Sequence, residues 1–536
     1  MDTNVVTNKA TARISLREQS AWLLAAKIIG FACSFVLPLI IVRYLTQDAV
    51  GHYRQAFLVI TNAVIILPLG FSMSAYYFLA RESAARRGAA ILNILIFNFV
   101  VGGLACLALQ LFPQIIGNVF QSKELAHLAP KIGVVIWIWI FGTFLEIVAI
   151  ANQEARTATV FIILAQLSKT LLMGTAVFAI GTVESFLYAA MIQGTIQTII
   201  LLGYLRTRFE GFWREFDAGF FREQMMYAVP FGLTGVLWIA QTDIHNYFVG
   251  YQFSPAEYAV YAYGCFELPL IAMLSESVTS VLIPRMNELQ LVGDRDEMIR
   301  LMARSTQKLA FFYFPIYIFL MITAKTFIVT LFTQDYELSA SIFVINLTLL
   351  PFCVLIVDPI VRSFKELGRL FLLSRLVVLT CMVAVLYFGL GYFSLTGMIT
   401  VAVAAILIEK FIADLMVIHK LKIGSQHLLL FKDTAKTALI SILAGIVTFV
   451  VYSNTHEPVK QAGEHFAAYV LLLNKPAALS FAGGSFVLLV TALVFAPMYL
   501  LAANFWGVIE DDEKQTVKNF TRRIFPKRGI QPLTDI

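Results

Sequence analysis

Apolar runs long enough to cross a bilayer recur about fourteen times along this chain, and that recurrence limits what it can fold into more than any other feature. Lipid offers a peptide group no hydrogen-bond partner, so a run of roughly 20 mainly apolar residues must satisfy its own backbone as a helix. The runs fall at about 20–42, 53–79, 89–112, 131–151, 158–181, 185–205, 227–250, 258–283, 309–331, 340–360, 371–392, 395–419, 434–453 and 479–503. With 59% apolar and 14% charged residues, against about 45–50% and about 25% in globular domains, the chain reads as an all-α polytopic membrane protein of about 14 transmembrane helices. The polar residues 1–19 carry Lys9, Arg13 and Arg17. No small-residue cleavage site follows the first run, which is therefore read as a retained helix and not a signal peptide.

The first two runs form a unit that returns later. Arg17-Glu18-Gln19, an apolar run, a turn at Thr46-Gln47-Asp48 and a second run closed by Arg81 are matched by Arg222-Glu223-Gln224, a run, a turn at Ser254-Pro255-Ala256 and a run closed by Arg285. Tyr53 stands eight residues after Leu45, as Tyr261 does after Phe253. A membrane chain with two similar halves suggests a transporter. The expected organisation is a segment at 1–19, a first six-helix bundle at 20–206, a linker at 207–226, a second six-helix bundle at 227–419, two added helices within 420–503, and a tail at 504–536. Sorting Lys and Arg to alternate sides puts roughly 29 with the termini, about 6 opposite and about 5 within spans, so the positive-inside rule places both termini in the cytoplasm. The loop at 207–226 mixes charges with Phe212, Trp213 and Phe216, as a segment lying on the membrane interface would.

The connections are too short for an ATPase or glycosyltransferase domain. No phosphate loop, HExxH or GxSxG pattern occurs. The five cysteines lie singly in apolar runs without metal or redox spacing. We therefore expect no enzyme activity, cofactor, metal site or nucleic-acid partner. The outer loop with His456, Glu457, Glu464 and His465 shows no catalytic spacing.

Polar residues inside the membrane are expensive and mark sites. Lys27 shares a helix face with Ser20, Gly30, Ser34 and Pro38, and Lys169 shares one with Gln166 and Met173. Each lysine either faces an anion in a cavity or snorkels to the headgroups. Glu146 either pairs with one of them or reaches the cytoplasmic headgroups. Arg43 and Arg54 flank the first outer turn, at the surface or at the mouth of a cavity. The second half is acidic within its spans, at Asp243, Glu267, Glu276 and Asp358. Asp243 with His245 forms a candidate ion-coupling pair, although residues two apart point to different helix faces and His245 equally suits an outer cap. Pro230, Pro269, Pro315, Pro351 and Pro359 interrupt apolar runs, where bent helices line cavities or simply pack.

Leu37-Pro38, Ile41-Val42-Arg43-Tyr44-Leu45, Gly51-His52-Tyr53-Arg54-Gln55, then Leu69-Gly70 with Ser72 and Tyr76-Tyr77 carry a resemblance. On these residues the chain is similar to the multidrug/oligosaccharidyl-lipid/polysaccharide exporter superfamily, in particular to the lipid-linked oligosaccharide flippases of O-antigen and related polysaccharide pathways. The resemblance covers the first two runs well and runs seven and eight loosely. It implies two bundles around a central cavity open alternately to either side of a bacterial cytoplasmic membrane. It implies a substrate with an undecaprenyl-type tail and a pyrophosphate-linked sugar head, held by cationic residues for which Lys27, Lys169, Arg54 and Arg43 are the candidates. By analogy the last two helices would form a lipid groove. Expected partners are the lipid-linked oligosaccharide, membrane lipid, a proton or sodium ion, and polysaccharide polymerase machinery. The alternatives are an ion-coupled multidrug antiporter of the same fold and a membrane enzyme acting on the same lipid carriers.

Overall fold

The computed structural model describes residues 30, 32, 35–209, 211–213, 216–470, 472 and 474–509. Residues 1–19, Lys27, most of the first expected span and the charged tail beyond 509 lie outside the described residues. Every regular element among those described is helical. In chain order they are α1 (Phe35–Tyr44), α2 (Gln47–Ile66), α3 (Ala75–Arg81), α4 (Ala84–Leu111), α5 (Gln114–Val119), α6 (Lys123–Ala151), α7 (Ala155–Ala179), α8 (Val183–Arg208) and α9 (Ala218–Gln252). There follow α10 (Pro255–Gly264), α11 (Pro269–Val292), α12 (Arg295–Phe332), α13 (Ser339–Leu347), α14 (Asp358–Ser363), α15 (Lys365–Phe388), α16 (Leu395–Leu421), α17 (Ser425–Leu428), α18 (Lys432–Tyr469) and α19 (Pro476–Phe505).

Among the described residues 8 helices are long and apolar enough to cross a membrane, or up to 10 when each of two bent pairs counts as one span. The chain is thus a multi-pass membrane protein. The two bent pairs are the second arms of the sequence repeat. Thr46 caps α2, its side chain accepting from Ala49 N, and Ser254 caps α10 in a box with Glu257. Both caps satisfy amide donors that a helix start leaves open. The first arm bends by 41° between α2 and the short helices running from Phe71 to Arg81, where Leu69 and Gly70 take positive φ values of 46° and 72°. The second bends by 47° between α10 and α11, where the backbone leaves the helix at Phe266–Leu268 and Pro269 begins the next helix. Proline suits that first position because its missing N–H has no partner there in any case.

Other expected spans differ in detail. The run at 340–360 is not one helix but α13, a 3-10 turn at Leu350–Val354 and α14. Pro351 and Pro359 each sit in the first positions of a new element, where an interior proline would have removed a ladder bond and clashed with the preceding turn. Pro230 and Pro315, by contrast, lie inside continuous helices. The expected outer loop at 454–478 is helical as far as Tyr469, because α18 continues past the apolar run.

The chain forms two compact units. The first comprises the described parts of Met1–Glu267 with Leu331–Asn346 and Leu372–Ile406. Its core packs Phe71 and Leu79 against Ile91 and Ile94 of α4, Phe144 and Val148 of α6, and Leu201 and Leu205 of α8. Within it α2 and α10 meet closely: a Cβ on Gly51 would run into the Pro255 carbonyl, and one on Gly232 of α9 into the Leu69 carbonyl. The second unit comprises Leu268–Thr330, Leu347–Phe371 and the described part of Leu407–Ile536. There α18 and α19 pack as a hairpin around Ile440, Ala444, Phe495 and Tyr499, with Phe311 and Ile318 of α12 against them.

Candidate functional site

In the first unit α2, α9 and α10 converge on a group of charged and polar side chains. Arg54, half-buried on α2, donates from Nη2 to the carbonyl of Ala262 at 3.4 Å, and its guanidinium carbon lies 5.3 Å from the centre of the Tyr263 ring. Ala262 belongs to the last turn of α10, whose carbonyls lack helical N–H donors and carry the negative end of the helix dipole. A guanidinium is the natural occupant. Residues 54 and 262 stand at matching places after the caps Thr46 and Ser254, so the arginine reaches its own counterpart across the repeat.

Asp243 of α9 is half-buried and hydrogen-bonded to the Asn62 side chain of α2, with Arg54 in electrostatic range. Asn62 also donates from Nδ2 to the Tyr247 hydroxyl at 3.2 Å. Glu267 sits in the unwound break after α10, exposed, and feels the Asp243 charge. Among the described residues Arg54 makes no direct ion pair with either carboxylate. With both carboxylates ionised, Arg54, Asp243 and Glu267 together carry a net charge of −1. Such a group can take up a proton or a small monovalent cation, and the unwound backbone beside Glu267 offers carbonyls to share in holding it.

Lys169 occupies a second place in the same unit. Its ammonium lies 5.1 Å from the centre of the Trp139 ring, which is fixed by an indole N–H donated to the Ala190 carbonyl at 2.9 Å. No described carboxylate acts on it. A Cβ on Gly30 would lie 3.1 Å from Cγ of Gln166, and Lys27 lies outside the described residues.

The remaining candidates are dispersed. Arg43 donates from Nη1 to the carbonyls of Leu39 and Leu331, both at 2.8 Å. His245 is buried and shares a 2.7 Å hydrogen bond through Nδ1 with the Tyr261 hydroxyl, so it and Asp243 have separate partners. Glu146 is exposed and within electrostatic range of Tyr76. Glu276 is exposed on α11 in the second unit. Asp358, also in that unit, pairs with Arg362 at 2.6 Å, an i,i+4 pair of α14. Sequence reasoning passed over Asn62, Tyr247 and Tyr263. The signal was present for two of them, since Arg54 with Asn62, and Asp243 with Tyr247, recur at multiples of four on one helix face.

Residues 40–341 match the family described as "Polysaccharide biosynthesis protein". No curated protein sequence matches significantly. Among solved structures, the lipid II flippase MurJ in an inward closed conformation is similar at a TM-score of 0.66 and 14% identity, over 91% of this chain and 98% of that one. An inward-facing multidrug resistance MATE family transporter of the MOP superfamily follows at 0.59 and 14%, over 75% and 98%. A MOP superfamily transporter from Pyrococcus furiosus matches at 0.54 and 15%, over 76% and 97%. At these identities the likeness is one of fold, and the fold is that of the superfamily to which the opening residues bear their resemblance.

Proposed function

Because the chain belongs to the polysaccharide biosynthesis protein family, we propose that it is a flippase. It carries a lipid-linked oligosaccharide of the undecaprenyl-pyrophosphate type from the cytoplasmic to the outer leaflet of a bacterial inner membrane by alternating access. The observation that carries this reading is the pair of broken spans, α2–α3 and α10–α11, repeated in the two halves and bent by 41° and 47°. Broken helices are tolerated at membrane depth where they line a cavity and expose backbone groups to a polar cargo. A sugar pyrophosphate needs such a path, since desolvating its charge would cost tens of kcal/mol in hydrocarbon.

In this reading both termini are cytoplasmic, and Lys169 with Lys27 receives the pyrophosphate while Trp139 positions the Lys169 ammonium. With the cytoplasm negative, export of each net negative charge is favoured by about 2.3 kcal/mol per 100 mV, so the membrane potential itself drives the step. Arg54, Asp243 and Glu267 add a proton or sodium site beside the second break. That acidic group is also what favours the second reading, an ion-coupled antiporter of small cations. The two separate on depletion of the protein in its own cell. The flippase reading expects lipid-linked saccharide to accumulate in the cytoplasmic leaflet and surface polysaccharide to fall. Unchanged surface polysaccharide with new sensitivity to cationic dyes would overturn it in favour of the antiporter.

A further inference from the structure

The first unit holds two mainly apolar concavities of similar size, of which only the second is lined by tyrosines. One, of about 570 Å³, lies among α4, α6 and α8, and its walls are mostly aliphatic and aromatic carbon from Leu95, Ile96, Phe99 and Leu202. The other, of about 470 Å³, lies where α5, α9 and α15 end, and among its walls Tyr247, Phe248, Tyr251 and Tyr387 are aromatic while Asn118 adds an amide. We propose that the second concavity is a carbohydrate subsite that seats an uncharged pyranose ring of the cargo, a proposal that rests on the reading of the cargo as a glycolipid.

A pyranose has an apolar C–H face and a rim of hydroxyls. Tyrosine supplies the complement, a flat face for the ring and a phenol at its edge for the rim. Hydrocarbon in the same place would offer no partner to the Tyr251 and Tyr387 phenols or to the Asn118 amide. Among the described residues no charged side chain lines the aromatic concavity, so a phosphate would find none of them to offset its charge. Its volume falls within the range of about 300–1,000 Å³ usual for small-molecule sites. Interfacial aromatic belts also gather tyrosines at helix ends, but those rings splay toward headgroups. Here four rings from two helices line one hollow.

Protein contacts hold Tyr247 and the end of α9, while Tyr251 and Tyr387 are exposed at 48% and 62% and present their rings outward from the wall. Phe120 stacks on Tyr247 with ring centres 5.8 Å apart and planes at 27°, and it fills the space beside Gly250, where a Cβ would lie 2.6 Å from Cδ1 of Phe120. Gln252 at the end of α9 donates from Nε2 to the Phe393 carbonyl at 3.2 Å, fastening α9 to the turn that follows α15. Tyr247 is also the residue whose hydroxyl accepts from Asn62, the partner of Asp243. A sugar on Tyr247 would therefore sit one hydrogen-bonded residue away from the charged group.

The test uses the full-length protein in detergent and the saccharide released by mild acid from the organism's own lipid-linked pool, with saturation-transfer NMR as the readout. Wild type is expected to show transfer concentrated on ring C–H protons. Y251A/Y387A should weaken binding by about tenfold or more, while Y251F/Y387F, which keeps both faces, should stay within about threefold of wild type. Melting temperatures check that each variant is folded, and the two single alanine variants give the same readout if the double variant is not. Saccharide bound by Y251A/Y387A as tightly as by wild type, or no transfer to wild type, overturns the subsite. Transport without saccharide binding would remove the subsite and leave the flippase reading standing, whereas saccharide binding without transport would do the reverse.

Discussion

Arg54 shows how one residue can serve structure and chemistry together. Its guanidinium closes the carbonyl end of α10 and lies within electrostatic range of Asp243 without pairing directly with it. The two charges should therefore be energetically coupled. In a cycle of R54A, D243N and the double variant, read by thermal unfolding in detergent, a coupling of about 0.5–3 kcal/mol is expected. Strict additivity would show that they do not communicate. Lys169 should behave in the opposite way. A half-buried ammonium with an indole face and no carboxylate beside it among the described residues is an expense to the fold, so K169M should leave the melting temperature unchanged or raised while lowering transport at least about tenfold. Lower stability together with unchanged transport would make Lys169 a structural residue. The chemistry-bearing residue types were legible in the sequence, because charge inside an apolar run is conspicuous. Their grouping was not. By sequence Arg54 belongs with a cationic first half and Asp243 and Glu267 with an acidic second half, and only the packing of α2 against α9 and α10 brings the three together.

At the scale of elements, the repeat was readable because it is written in caps. Thr46 and Ser254 each precede a helix and satisfy its first amides, and helix starts are local. The bends were less readable because they depend on neighbours. Gly70 accepts a left-handed backbone and sits where a Cβ would lie 2.9 Å from Gly232, a contact no local pattern reveals. The division of 340–360 follows from Pro351 and Pro359, which were noted only as possible bends, and the extension of α18 to Tyr469 came from polar residues that keep helical geometry outside the apolar run. The close approach of Gly51 to Pro255 gives the corresponding prediction. G51V should force α2 away from α10 and lower stability by about 1–3 kcal/mol or more, as overpacking does. A melting temperature equal to wild type would mean that the two helices do not meet there.

For the whole molecule, fold and family point the same way: a bundle similar to those of a lipid II flippase and a multidrug resistance transporter, and a sequence family concerned with polysaccharide. What distinguishes the two kinds of transporter is the cargo, and fold alone does not specify cargo. The sequence made the membrane class plain, since fourteen apolar runs admit few other architectures, while the cargo rests on a small number of side chains whose positions only folding determines. The central claim is net movement of a glycolipid head across the bilayer. It is tested most directly by reconstituting the purified protein into vesicles with the organism's own lipid-linked oligosaccharide in the inner leaflet and following its arrival outside with a membrane-impermeant glycosidase. The account predicts protein-dependent transfer that quickens when the interior is made negative and that fails with K169M. Transfer no faster than in protein-free vesicles, alongside ion-driven movement of a cationic dye by the same preparation, would contradict it.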